Sequence, residues 1–240
     1  MKAWDYVFPV VGGRRQPAAD LVHVVDICGT AFSVGADLFL TAHHVLESAV
    51  AHDDFGLGYV NQDALHRRAV LESHSLPELD LAVVRSPVPE ARALRWQAEP
   101  LLMLADVQTA GFPYALDTAS YVFTLRAFKG YVVSNGKFAR LAPQPRCYEL
   151  SFQAPRGLSG APVWSPDGSP TVRGVILGNQ STEMLVFSAR ERLSAESEKI
   201  VERFEAMQIG LALQSAAILD IRTRFFQGTL ADHLSRQGLL

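Results

Sequence analysis

The sequence predicts an all-β chain in two parts. Short runs rich in β-branched and aromatic residues recur along it, and clusters of turn residues separate them. A proline-rich break, Ser86-Pro87-Val88-Pro89-Glu90 and then an Ala/Arg-rich piece to Pro100, interrupts that pattern. Two prolines so close disfavour a central strand, so the linker between the parts is placed there. No stretch approaches the ~18 consecutive apolar residues that would argue for a membrane span.

Composition agrees. The chain has 240 residues, 48% of them hydrophobic, enough for one large all-β domain or two small ones with a sizeable core. A formal net charge of -3 gives no reason to expect nucleic acid or an anionic membrane as a partner. The two cysteines, Cys28 and Cys147, could form one bridge, but two buried free thiols are the expectation. That fits a reducing compartment. Residues 1–15 carry one lysine, an early aspartate and a short apolar run over 6–11, without the core and cleavage site of a signal peptide. Arg14-Arg15 follows that run and is no twin-arginine signal. A soluble, cytoplasmic protein is expected.

In the first part, residues 21–27, 31–34 and 38–41 read as strands, the last two joined by a Gly35-Ala36-Asp37 turn. The third runs straight into Ala42-His43-His44. Residues 51–63 look like a polar surface loop, which makes Asp53, Asp54 and Asp63 weak candidates for chemistry. Residues 67–73 could be a strand, and nothing marks His74 beyond a polar turn. Leu79-Asp80-Leu81-Ala82-Val83-Val84 then places an aspartate at the head of an apolar strand. A lone aspartate there is more often a cap or turn residue.

In the second part, residues 106–111, 121–128, 130–133 and 137–141 are β-rich, with Asn135-Gly136 as a hairpin turn. Residues 147–152 alternate and lead into Pro155-Arg156-Gly157-Leu158-Ser159-Gly160-Ala161-Pro162-Val163. After a turn at 166–169 come strands over 173–179 and 209–213. Residues 188–207 are charged and helix-prone and read as a solvated helical insertion. Residues 216–219 begin a terminal helix. There are no internal repeats and no low-complexity tracts.

A histidine, an aspartate and a serine thus occur in that order, each set in strand-like sequence. The order is that of the chymotrypsin type, not of subtilisins or α/β-hydrolases, and Ala161 breaks the Gly-x-Ser-x-Gly pattern of the latter. On Leu40-Thr41-Ala42-His43-His44, Asp80-Leu81-Ala82-Val83-Val84 and Gly157-Leu158-Ser159-Gly160-Ala161-Pro162 together, the chain resembles the trypsin-like (chymotrypsin-fold) serine peptidases over residues 21–219. Gly111-Phe112-Pro113 is similar to the turn that opens the second barrel of bacterial relatives.

The resemblance implies one peptidase domain of two antiparallel six-stranded β-barrels, about residues 20–88 and about 101–220, the second with a terminal helix. It implies a serine endopeptidase in which Ser159 forms an acyl-enzyme, His44 is general base and Asp80 orients it. Counting from Thr41 and Ala42 favours His44, and His43 is the competitor. The backbone N–H groups of Gly157 and Ser159 would form the oxyanion hole, where such a donor is worth roughly 3 kcal/mol. Gln153, Ile176, Leu177, Gly178 and Gly210 would line the substrate pocket. Gln153 cannot supply a buried charge, so an uncharged substrate side chain is favoured.

Two departures stand out. Val45 follows His44 where secreted relatives carry a cysteine, which leaves Cys28 without that partner. Leu158 replaces the acid that pairs with a newly made N-terminal amine, so activation by N-terminal clipping is not expected. Whether the oxyanion loop is formed at rest or needs a partner protein stays open. The family needs no cofactor. No metal is implied, because the histidines lack ligand spacing and His43 and His44 point apart. Beyond a protein or peptide substrate, a regulatory protein is the one partner admitted. The alternative from another class is a non-catalytic binding or scaffold module on the same fold.

Overall fold

The computed structural model describes residues 5–16, 21–61, 64–113, 116–117, 122–166, 170–192 and 198–240. Strands dominate. The first part contains β1 (Val7–Gln16), β2 (Leu21–Gly35), β3 (Leu38–Ala42), β4 (Asp54–Asn61), β5 (Ala64–Ala69), β6 (Glu72–Leu76) and β7 (Leu81–Arg85). They form one antiparallel seven-stranded sheet in the order β5-β4-β1-β2-β3-β7-β6. Among the described residues no ladder closes it. The Ser86 hydroxyl donates to Ala69 O at 3.0 Å and brings the end of β5 to the end of β7, so the sheet rolls over its contents. The short helix α1 (His43–Val50) follows β3 directly.

The second part contains β8 (Arg95–Trp96), β9 (Asp106–Gly111), β10 (Leu116–Asp117), β11 (Val122–Phe123), β12 (Arg126–Lys137), β13 (Arg146–Leu150), β14 (Pro162–Ser165), β15 (Thr171–Arg192) and β16 (Glu198–Gln214). Here the order β14-β9-β12-β13-β16-β15 closes through a β14–β15 pairing, giving a six-stranded barrel. β8 adds to its edge in parallel with β15. Two helices end the chain, α2 (Ser215–Leu219) and α3 (Leu230–Arg236).

Alternation along each strand sorts side chains between cores. On β3, Phe39 joins Phe8, Ala31, Leu57 and Val84 beneath α1. Leu38 and Leu40 face the other way, into a core shared with Trp96, Trp164, Val175, Leu213 and the terminal helices. A third core of Val107, Tyr148, Leu150, Leu158, Val163 and Ile176 fills the second barrel. The chain's end binds both parts: Trp96 N–H of β8 donates to Leu239 O at 2.7 Å, and the His233 ring bonds Val34 O of the first sheet at 3.1 Å.

Several expectations need correction. The first sheet holds seven strands rather than six and begins at Val7. Residues 51–63 are not all loop, because β4 carries buried Leu57 and Tyr59 into the core. Asn135-Gly136 is no hairpin turn. Both residues lie within β12, opposite Tyr148 and Cys147 of β13, and the chain turns after Phe138.

Residues 188–192 and 198–207 are not helical. They continue β15 and β16 outward as a long hairpin, with Ser188 opposite Glu202 and Thr182 opposite Met207. The barrel ladder that joins Val175 to Leu213 runs on into this arm, so its residues continue an established antiparallel register. Helix propensity is a weak prior against such a ladder. Of the remaining segments, 121–128 lies partly outside the described residues, as does the turn at 166–169.

Candidate active site

The site's first half lies at the end of two paired strands. β3 and β7 run antiparallel, with Thr41 opposite Ala82 and Ala42 opposite Leu81. Asp80 stands just before β7, where His43 and His44 begin α1. Asp80 adopts a left-handed backbone, φ 52° and ψ 41°, which aspartate tolerates better than most residues. Its carbonyl accepts from His43 N–H at 3.0 Å, and its Oδ1 accepts from His44 N–H at 3.1 Å. The N-cap residue of α1, Ala42, has no side chain able to cap. Asp80 therefore satisfies two of the helix's unpaired N–H groups from across the sheet, and its negative charge suits the helix N-terminus.

The same carboxylate holds the imidazole. His44 Nδ1 lies 2.8 Å from Asp80 Oδ2 and 3.1 Å from Oδ1. With Nδ1 donating, the free Nε2 is the basic nitrogen. The His44 side chain is 45% exposed and that of Asp80 22%, so the ring is open to solvent and its partner is sheltered. His43 points elsewhere. Its Nε2 approaches Glu47 at 3.4 Å, one helical turn on, and its Nδ1 is buried with no partner among the described residues.

The second half is the loop of residues 155–160. Gly157 has φ +97°, and a Cβ there would press on Phe112 O. This is a conformation and a closeness that only glycine allows. Leu158 is fully buried in the core of the second barrel. Burying a leucine contributes about 2–3 kcal/mol, so an apolar anchor fixes the loop where an ion pair is absent. The N–H groups of Gly157 and Ser159 have no hydrogen-bond partner among the described residues. The Ser159 hydroxyl donates to Leu177 O at 3.2 Å, so its bond goes to β15 and not to His44.

The two halves meet at Thr30, a fully buried residue of β2. Its N–H donates to Ser159 O at 2.9 Å and its hydroxyl to Gly157 O at 2.7 Å. That hydroxyl also accepts from Phe112 N–H at 3.1 Å, and Thr30 O accepts from the Thr41 hydroxyl at 2.7 Å. Gly160, at φ +84°, packs so closely on Thr30 O and the Thr41 hydroxyl that a side chain has no room. Thr41 lies three residues before His44, so the serine loop is pinned beside the strand end that carries the imidazole.

The expected pocket residues are placed along β15, β16 and the loop's approach. Ile176 is buried in the barrel, and its carbonyl accepts from Gly160 N–H at 2.8 Å. Leu177 falls at a register irregularity between Ile176 and Gly178, which turns its carbonyl to the serine. Gly210 N–H donates to Phe152 O at 2.9 Å. Gln153 is exposed. Sequence reasoning missed Asn179, whose side-chain oxygen accepts from Ala154 N–H at 2.7 Å and whose amide donates to Ala154 O at 2.9 Å. It closes β15 onto the loop's approach. A buried threonine and an asparagine carry no spacing signature, and only their partners reveal them. A cavity of about 260 Å³, lined by Phe138, Arg140, Cys147, Glu149, Gln180 and Leu211 among others, involves none of the serine-loop residues.

Both thiols are free and buried. Burial pushes the Cys28 thiol up to about 11 and the Cys147 thiol up to about 12. Neither is a ready nucleophile.

Solved structures with this fold are numerous. The Mycobacterium tuberculosis H37Rv protease Rv3671c, in an inactive form, is 17% identical, with 98% of this chain and 88% of that one covered at a TM-score of 0.55. The MamO protease domain from Magnetospirillum magneticum is 13% identical, with 91% and 97% covered at 0.58. The HtrA-type protease AlgW, solved with a tripeptide, is 16% identical, with 90% and 58% covered at 0.57. At such identities the likeness shows the fold alone. No curated protein matches the sequence. The model of the trypsin-like peptidase domain matches residues 29–175, which hold His44, Asp80, Thr30 and the whole serine loop, and the chain belongs to that family.

Proposed function

We infer that the protein is a serine endopeptidase. Ser159 is the nucleophile, His44 takes its proton and returns it to the leaving amine, and Asp80 fixes the tautomer and stabilises the imidazolium. The observation that carries this reading is the pair of bonds from one carboxylate, to the His44 backbone and to Nδ1, which leaves Nε2 as the base. The unpartnered N–H groups of Gly157 and Ser159 are suited to a developing oxyanion. For attack, the Ser159 hydroxyl must leave Leu177 O and turn to His44. The same carbonyl is then free for substrate backbone added along β15. An exposed Gln153 and the Asn179 bridge offer no buried charge at the pocket, in keeping with an uncharged substrate side chain.

Fluorophosphonate labelling followed by intact mass tests the reading. Wild type is expected to gain one adduct, Ser159→Ala and His44→Ala to gain none, and His43→Ala to label like wild type. An adduct that persists in Ser159→Ala would show that the nucleophile is misassigned. A folded wild type that never labels would favour a binding module on this fold.

A further inference from the structure

Behind the serine loop lies a cluster that the proposed chemistry does not use. Asp26 and Cys28 come from β2, and His52 stands two residues past the end of α1. One donor atom from each lies within 4.8 Å of the other two, and His52 Nε2 is 3.9 Å from Asp26 Oδ2. Cys28 is buried, while the Asp26 and His52 side chains are 33% and 23% exposed, so the cluster has an apolar back and an open front. The ring of His52 is seated in the notch left by Gly12, where any side chain on β1 would meet it.

We propose that Asp26, Cys28 and His52 bind a thiophilic divalent cation, with zinc the best match. Thiolate, imidazole and carboxylate are zinc's ordinary donors, at bonds of about 2.0–2.3 Å, and tetrahedral angles then set donors about 3.3–3.8 Å apart. From separations of at most 4.8 Å, the three groups need close by no more than about 1.5 Å to reach this. On binding, the Cys28 thiol gives its proton to solvent and the sulfur ligates as thiolate. Three protein ligands leave a fourth position for water or a second ligand. Softness of the thiolate and the imidazole selects against calcium and magnesium.

The site is coupled to the serine loop. Arg156, the residue before Gly157, donates to the same Asp26 Oδ2 at 3.1 Å. A cation on that oxygen displaces the guanidinium. Cys28 is also two residues from Thr30, the anchor of Ser159 O. The sequence hid this cluster because its members are spread from position 26 to 52, and only the packing of α1 on β2 collects them.

The binding claim does not depend on peptidase activity, and its test uses the metal alone. The intact, reduced chain is titrated with Co²⁺, followed by the thiolate-to-cobalt charge-transfer absorption, and with Zn²⁺ by calorimetry. One equivalent is expected to bind with a thiolate band. Cys28→Ser should abolish the band and weaken zinc at least tenfold, and His52→Ala should weaken it similarly. Cys147→Ser should leave both readouts unchanged, and Arg156→Ala should tighten zinc a few-fold by removing a competing cation. Circular dichroism confirms that each variant is folded. The absence of a thiolate band in wild type overturns the site, as does a band that survives Cys28→Ser. Unchanged affinity in Arg156→Ala overturns the competition with the loop.

Discussion

The two halves of the site differ in how they are held. His44 and Asp80 sit at the ends of adjacent strands, and a strand ladder, a helix start and a carboxylate all fix the same geometry. Ser159 sits in a loop held from three sides, by Leu158 in the second barrel, by Thr30 from the first sheet and by Ile176 of β15. In the first half the imidazole already faces its carboxylate. In the second the hydroxyl is turned to Leu177 O. The contrast teaches that neighbouring strands preset one pair of groups, while a loop between two sheets keeps a choice of side-chain orientation.

The largest effect should come from breaking the preset half. In Asp80→Asn the amide oxygen keeps the place of Oδ1, where it still accepts from His44 N–H, so the –NH₂ faces Nδ1. Nδ1 must then accept, the proton moves to Nε2, and the base is lost. Peptide hydrolysis is expected to fall about 10⁴-fold in kcat with little change in melting temperature. A fall of less than tenfold would mean that the carboxylate only caps the helix.

A smaller effect should follow from cutting the link between the halves. Thr30→Val keeps the shape but removes the hydroxyl that donates to Gly157 O and accepts from Phe112 N–H. Each such loss costs about 1–3 kcal/mol. Thermal unfolding should fall by several degrees, and the acylation rate by about tenfold. If stability falls and acylation does not, Thr30 is merely structural and the loop holds itself.

The smallest effect should appear far from both halves. His233 of α3 docks on Val34 O of the first sheet, and burial holds its pKa below the ordinary 6.5. The unfolded chain therefore binds this proton first, and stability is lost as pH falls below 6.5. The loss is bounded by about 1.4 kcal/mol per pH unit. Melting temperature between pH 7 and 5 should drop more steeply in wild type than in His233→Gln. Equal slopes in wild type and His233→Gln would show that the helix tolerates the charge.

Much of this was legible in the sequence. Strand periodicity, the Gly35-Ala36-Asp37 turn and the proline break are local, and each acts through the residue's own backbone preferences. Asp80, His44 and Ser159 stand out as candidates because each is embedded in strand-bounded residues whose order constrains the fold. What lay beyond reach depended on partners distant in sequence. The arm of β15 and β16 has helix-prone composition, and it is strand because the barrel beneath supplies a continuing ladder. Asn135-Gly136 has the composition of a turn and is strand because β13 pairs with it.

The sequence alone determined the all-β class, the two parts and the three residue types in their order, since these follow from side-chain period and turn chemistry. Tertiary structure decided between His44, which the count from Thr41 and Ala42 favours, and His43, because the β3–β7 register sets which histidine the Asp80 carboxylate reaches. It alone made Thr30 the joint between the halves, and it gathered Asp26, Cys28 and His52 behind the serine loop. Hydrogen bonds and donor clusters are short-ranged, so they exist only once packing has brought remote segments within a few ångströms.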